Sequence, residues 1–380
     1  MSDLLSTARE LRSTIDANAQ KSGSHPVPLE TIAALRDSGI YGLMTPKELG
    51  GAELPILDVI DVVEEVSRAD GSAGWCLMAG ATTAAYFGAY GGESFVQQMF
   101  AHGTPLAAGQ FAPNGTGVRE GAGYRVTGNY SFGSGIDCAD WVGAGFLVLP
   151  PEGSDQPAEY RFGVVPKHDA ELRGNWDVLG LQSTASLDYG IDSAFVPEEA
   201  TFLFAAPTRH RGGRQFELGV MVLTAAGHAG FALGVARRAL DEMASIAKTK
   251  VRMGTGTFLK DSERFLELLG NLESRFAASR AWVRETFAAA EATVLAGGKV
   301  DPVEANRVRQ STVFVTQEAA EITRGAYLHV GTTALRDGPL QRCFRDIHAG
   351  SQHFFASPAS TLDMARDVMA AAADAGIDSD

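Results

Sequence analysis

Apolar residues return every three or four positions between Ile56 and Arg68, at Ile56, Ile60, Val63 and Val66, which is the spacing of an amphipathic helix. The first ~105 residues keep this helical texture. Thr31 to Ser38 reads as a short helix closed by Gly39, and Gly74 to Tyr90 is so rich in apolar and small residues that a buried helix is expected. Between these lies Thr45-Pro46-Lys47-Glu48-Leu49-Gly50-Gly51, a loop whose glycines suit positive φ. Near Gly109 the period shortens to two, as Tyr124, Val126, Gly128, Tyr130 and Phe132 alternate with their neighbours in the manner of a strand. Trp141–Leu149, Tyr160–Pro166 and Leu187–Val196 are further expected strands, separated by polar turns such as 150–155. After a polar connector with Arg209, His210, Arg211 and Arg214, helical spacing resumes over longer runs. Leu218 to about Lys250 is one helix. Ser262 to Ala296 is a second, striped by Phe265, Leu269, Leu272, Phe276, Val283 and Phe287 and stopped by Gly297-Gly298. Asp301-Pro302-Val303-Glu304 supplies an N-cap, a first-turn proline and a carboxylate, and starts a third helix to about Val330; Ser357-Pro358 starts a fourth. Long helices with short connections imply an antiparallel bundle. The expected architecture is α+β: an N-terminal helical domain over 1–108, a middle β-barrel-like domain over 109–215 and a C-terminal four-helix bundle over 216–380.

Composition narrows the partners. The 380 residues carry 32 Lys+Arg against 46 Asp+Glu, a net charge of −14, and no basic run, which disfavours nucleic acid or an anionic membrane as partner. Cys76, Cys138 and Cys343 lie far apart and are odd in number, so neither a disulfide framework nor a metal cluster is expected. The opening Met-Ser-Asp-Leu-Leu shows no export signal and no membrane span is read, so a cytoplasmic location is expected. The chain has no Walker phosphate loop, G-x-S-x-G elbow, H-E-x-x-H or paired C-x-x-C. Nor does any G-x-G-x-x-G join a strand to a helix, which removes a Rossmann nicotinamide enzyme.

What remains is a cluster from Asp337 to His353 that holds Arg342, Arg345, Asp346, His348 and His353. On one helix, five positions is about 500° of rotation, so His348 and His353 would face apart and share no metal. Either alone could act as an acid or base near neutral pH, or simply sit at the surface or cap a helix.

Three segments then resemble the acyl-CoA dehydrogenase superfamily: Glu65-Val-Ser-Arg-Ala-Asp-Gly-Ser-Ala-Gly-Trp75, Val126-Thr-Gly-Asn-Tyr-Ser-Phe-Gly-Ser134-Gly-Ile-Asp-Cys-Ala-Asp-Trp141, and Trp176-Asp-Val-Leu-Gly-Leu-Gln-Ser-Thr-Ala-Ser186 leading to Phe195-Val-Pro197. The C-terminal run Pro339-Leu-Gln-Arg342 through Arg345-Asp346-Ile-His348 to His353 is most similar to the branch of flavin-dependent two-component hydroxylases. That resemblance implies a reduced flavin, FMN or FAD, delivered by a separate reductase, a small-molecule substrate, and a homotetramer. It implies Phe132 beside the isoalloxazine, with Ser134 facing flavin N5. It also implies Gln110 and Phe111 at the entry loop, Trp176 and Ser186 along the cofactor, and Arg252 reaching a neighbouring subunit's flavin, with Arg342 and Arg345 as alternatives. Ser134 and Ser186 would otherwise serve turns, and Trp176 the core.

In dehydrogenases of this superfamily a glutamate removes the substrate's α-proton. The matching stretch here, Gln352-His353-Phe354-Phe355, has no acid, and Asp241 and Glu242 on an earlier helix continue a charged surface stripe. The implied reaction is hydroxylation of an aromatic or polycyclic molecule, with Ser134 holding the oxygenated flavin and His353, or else His348, taking a proton from a substrate hydroxyl. The alternative is a dehydrogenase-like desaturation of an acyl thioester.

Overall fold

The computed structural model describes residues 3–374 except 24, 151, 152, 154, 253 and 255. Five helices open the chain: α1 (Asp3–Ser22), α2 (Leu29–Asp37), α3 (Ile56–Ala69), α4 (Gly71–Tyr90) and α5 (Glu93–Met99). All but one residue of α4 is buried, as its run of small and apolar residues requires. Asp70 starts it by accepting the Ala73 N–H at 2.9 Å.

The strands are β1 (Ala107–Glu120), β2 (Gly123–Gly133), β3 (Trp141–Val148), β4 (Glu159–Pro166), β5 (Ala170–Gly174), β6 (Leu187–Pro197) and β7 (Thr201–Leu203). They form one seven-stranded sheet in the order β5-β6-β2-β1-β3-β4-β7. β1 and β3 run parallel and the other pairs antiparallel. The β1–β3 register breaks between Gln110 and Gly115, a bulge that bends the strand beside the end of β2.

The remaining helices are α6 (Gly219–Thr249), α7 (Glu263–Leu295), α8 (Pro302–His329), α9 (Pro339–Gly350) and α10 (Ala359–Asp374). The expected capping of α8 is present, with Asp301 accepting the Glu304 N–H at 2.8 Å. One feature departs from the sequence reading. The partner of α6 and α8 after α8 is α9, whose Leu340, Cys343 and Ile347 are buried, while the helix started by Ser357-Pro358 packs on α8. Another departure concerns membranes. The helical stretch Arg214–Thr249, which contains α6, holds an 18-residue window of mean hydropathy 1.7, long and apolar enough for a span. However, 83% of that window is buried inside the protein, which marks a core helix.

Helix α6 packs against α3 and α4 with almost no clearance. A Cβ on Gly227 would lie 2.9 Å from Met78 Cβ, one on Gly230 2.9 Å from the Ile60 carbonyl, and one on Gly234 2.3 Å from the Glu64 carbonyl. Close approach of backbones is the physical reason for glycine at this spacing.

Candidate active site

Ser134 lies one residue past β2, where Phe132 adopts a left-handed φ of 63° and the Ser134 N–H folds back onto the Phe132 carbonyl at 2.8 Å. The turn separates the two side chains: Phe132 is 63% exposed and Ser134 is buried. Ser134 Oγ accepts the Trp75 Nε1–H at 3.0 Å and lies 2.8 Å from Ser186 Oγ. Ser186 Oγ is 2.7 Å from Thr184 Oγ1, which donates to the Leu181 carbonyl at 2.8 Å. These hydroxyls belong to a loop, residues 176–186, in which Leu181 and Ala185 take φ of 56° and 42° without being glycine. Such conformations persist only where surroundings hold them.

Trp176 Nε1 bonds the Leu181 and Gln182 carbonyls, at 3.2 and 3.1 Å. Asp346 on α9 accepts the Leu181 N–H at 2.6 Å, and a Cβ on Gly180 would stand 2.0 Å from the Arg345 carbonyl. The loop is thereby docked on α9. Burial, then the nearby Asp70, push the Asp346 carboxyl up to about 7 against the opposing pull of the Leu181 N–H, Arg345 and Arg342.

On the other side of Trp75 stand two imidazoles. His353, in the turn after α9, stacks on His228 of α6 with centroids 5.3 Å apart and on Phe355 at 5.5 Å. Trp75 meets both imidazoles edge-on, at 5.4 and 5.5 Å, and Phe231 at 4.9 Å. His228 is completely buried and neither ring nitrogen has a hydrogen-bond partner. Burial lowers the His353 pKa to about 4, and burial followed by the charge His353 would carry holds His228 well below 6.5. Both rings are neutral at pH 7. His353 Nδ1 accepts the Phe355 N–H at 3.3 Å, so its proton sits on Nε2. In this state the ring presents Nε2–H as a hydrogen-bond donor.

The other expected site residues divide into two groups. Phe132 and Trp176 meet edge-to-face at 6.3 Å. Gln110 reaches the same strand end, its Oε1 accepting the Ser131 N–H at 3.2 Å and its own N–H donating to Tyr189 Oη at 2.9 Å. Arg345 donates to Gln182 Oε1 at 3.3 Å and pairs with Asp337 at 3.7 Å, leaving its buried Nε without a partner.

The second group lies elsewhere. Phe111 packs its side chain into the aromatic core against Phe162 and Phe204, at 4.8 and 5.4 Å. Arg342 is committed to two carboxylates, 3.8 Å from the half-buried Asp16 and 4.0 Å from the buried Asp70. Arg252 lies on the α6–α7 connector, donating to Ser262 Oγ at 3.1 Å. His348 does sit on α9, but His353 follows the helix, so the 500° argument does not describe them. His348 Nδ1 donates to the Phe344 carbonyl at 2.6 Å and its ring packs on Phe344, outside the Trp75 cluster. Asp241 and Glu242 are held in ion pairs, Asp241 with Arg68 and Arg237 and Glu242 with Arg238. Among the described residues no group of three His, Cys, Asp or Glu could hold a metal.

Trp75, His228, Thr184 and Asp346 complete the arrangement; sequence reasoning met Trp75, Thr184 and Asp346 only inside longer motifs, without a role, and did not reach His228. His228 left one usable signal, a lone imidazole in the apolar run from Val220 to Ala236.

A buried hydroxyl chain beside exposed aromatic faces, with a neutral imidazole across one indole, suits the edge and plane of an isoalloxazine. The family model for the acyl-CoA dehydrogenase N-terminal domain matches residues 5–102 and that for the acyl-CoA dehydrogenase C-terminal domain matches 226–358. The chain belongs to the acyl-CoA dehydrogenase superfamily. The relatives it matches within that superfamily include flavin-dependent monooxygenases and hydroxylases. Indole-3-acetate monooxygenase of Pseudomonas putida is 29% identical over 340 residues, 86% of this chain and 83% of that protein. A pigment production hydroxylase of Rhodococcus sp. is 28% identical over 368 residues, 93% of this chain and 92% of that protein. Among solved structures, 3-HSA hydroxylase from Rhodococcus sp. RHA1 has a TM-score of 0.89 at 22% identity, covering 97% of both chains.

Proposed function

We propose that this protein is an oxygenase component that uses reduced flavin and dioxygen to hydroxylate an aromatic or polycyclic small molecule. The observation that carries this reading is the pairing, across Trp75, of the Ser134 hydroxyl with the neutral His353 ring. A bound reduced flavin would supply two electrons, so that one oxygen atom enters the substrate, the other leaves as water and the flavin ends oxidised. Phe132 and Trp176 offer the aromatic surface for the ring, Ser134 faces N5, and Ser186 and Gln110 support that edge. Arg345, with its partnerless buried Nε, is the phosphate-side candidate. His353 holds a proton on Nε2 and donates it as a hydrogen bond to oxygen at the reacting centre. His348 is the second choice. The dehydrogenase alternative is not favoured, because the two candidate carboxylates are neutralised in ion pairs.

The same reading assigns a separate flavin reductase as partner, a cytoplasmic location, a three-part division at 108 and 215, and a homotetramer in which Arg252 reaches the neighbouring flavin. Anaerobic titration tests it: reduced flavin binds more tightly than oxidised flavin. Equal affinity, together with dye reduction driven by an acyl-CoA, overturns it. His353→Leu leaves flavin binding intact and slows single-turnover product formation by about 100-fold, the usual cost of losing one preorganised donor.

A further inference from the structure

The hydroxyl chain has only one polarity. Its head is the Trp75 Nε1–H, which can only donate, and its tail is the Leu181 carbonyl, which can only accept. Between them three hydroxyls, on Ser134, Ser186 and Thr184, make three bonds with three hydrogens. All three bonds form only if Thr184 donates to Leu181, Ser186 to Thr184 and Ser134 to Ser186. Any other arrangement wastes a hydrogen and breaks a bond, and the three side chains are buried, where an unmade bond is costly.

Ser134 Oγ is left with its hydrogen spent, one lone pair occupied by Trp75 and one lone pair open. It can accept one further hydrogen bond and cannot donate. A flavin presents opposite faces to such a group: N5 carries a hydrogen in the reduced ring and a bare lone pair in the oxidised ring.

We infer that Trp75, Ser186 and Thr184 are positioning residues that lock Ser134 as an acceptor, so that this site selects the reduced flavin by the hydrogen on N5. The inference rests on the reading above that Ser134 faces N5. The selectivity is then written in residues that do not themselves meet the flavin, and breaking the chain downstream of Ser134 should improve binding of the wrong redox state.

Ser186→Ala removes the acceptor of the Ser134 hydrogen, which then turns to the N5 lone pair of oxidised flavin. Thr184→Val leaves the Ser186 hydrogen without its acceptor, so Ser186 donates back to Ser134 and frees the same hydrogen. In both variants oxidised flavin binds about fivefold more tightly while reduced flavin is little changed, a neutral hydrogen bond being worth about that factor. The midpoint potential of the bound flavin falls correspondingly by about 20 mV, at 29.6 mV per tenfold for two electrons. Thr184→Ser keeps the hydroxyl and the wild-type ratio.

Anaerobic titrations of the full chain with both redox forms, and the potential of the bound flavin, read these outcomes without turnover. A wild-type protein that prefers reduced flavin while both variants keep its ratio overturns the inference and leaves the proposed function standing. Equal weakening of both forms also overturns it, because that marks a merely structural role. A wild type with no preference removes the proposed function first. If Ser186→Ala does not fold, the Thr184→Val and Thr184→Ser pair decides alone.

Discussion

On one side of Trp75 the hydroxyls of Ser134, Ser186 and Thr184 are joined into a finished chain, and nothing in that chain changes charge between pH 4 and 8. On the other side His353 and His228 lie face to face among Trp75, Phe231 and Phe355, with His228 bonded to nothing. Both halves put polar groups into a dry interior. The first meets the desolvation cost by pairing, the second by surrendering protons. The hydroxyl half should therefore ignore pH, whereas the imidazole half should respond to it.

The largest disturbance is to the wall between them. Trp75 is 7% exposed and touches three rings and Ser134, so Trp75→Ala should cost about 3–5 kcal/mol by chemical denaturation, the range for truncating a buried aromatic. A loss within 1 kcal/mol would mean the two halves do not share it.

The next effect is a pH dependence. In the unfolded chain a histidine takes up its proton near 6.5, but folded His353 does so only near 4. Over that window the unfolded state binds more protons, so stability falls as pH falls, by up to about 3 kcal/mol from His353. His228 adds to the loss in the same direction. Asp346 opposes both: folded, it is protonated from about 7, but unfolded only from about 4, so its contribution rises as pH falls. Subtracting the stability curve of His353→Leu from that of the wild type isolates the histidine share, while Ser134→Ala should keep the wild-type slope. A Ser134→Ala slope matching that of His353→Leu would erase the contrast.

Much of the architecture can be read directly from the chain, because its period shortens near Gly109 and lengthens again from Leu218, bracketing the strands that run from Ala107 to Leu203. Helix α9 escaped because its charged residues drew the eye to chemistry, although Leu340, Cys343, Phe344 and Ile347 repeat at helical spacing after Gly338-Pro339. The site was half legible. Ser134 and His353 stand out as residue types in a motif, but the Thr184–Ser186 bonds depend on left-handed backbone at Leu181 and Ala185, which no side-chain pattern announces.

A smaller effect separates the hydroxyl loop from its support. In Gly180→Ala the new methyl meets the Arg345 backbone, so the 176–186 loop must lift from α9, at a cost of about 1–3 kcal/mol. Limited proteolysis should then cut within that loop. The smallest effect belongs to His228→Phe. An aromatic ring is kept and two partnerless buried nitrogens are removed, so stability at pH 7 should stay within about 1 kcal/mol of wild type while the loss toward pH 4 lessens.

The glycines of α6 have a consequence for how this enzyme can diversify. Gly227, Gly230 and Gly234 leave no room for a methyl, so the helix that carries His228 and Phe231 has a fixed address. Sequence change is thereby diverted to exposed side chains such as Leu179 and Phe354, whose replacement disturbs little of the packing. Mutational libraries confined to those two positions should return folded proteins, and libraries on the glycines should return mostly aggregates.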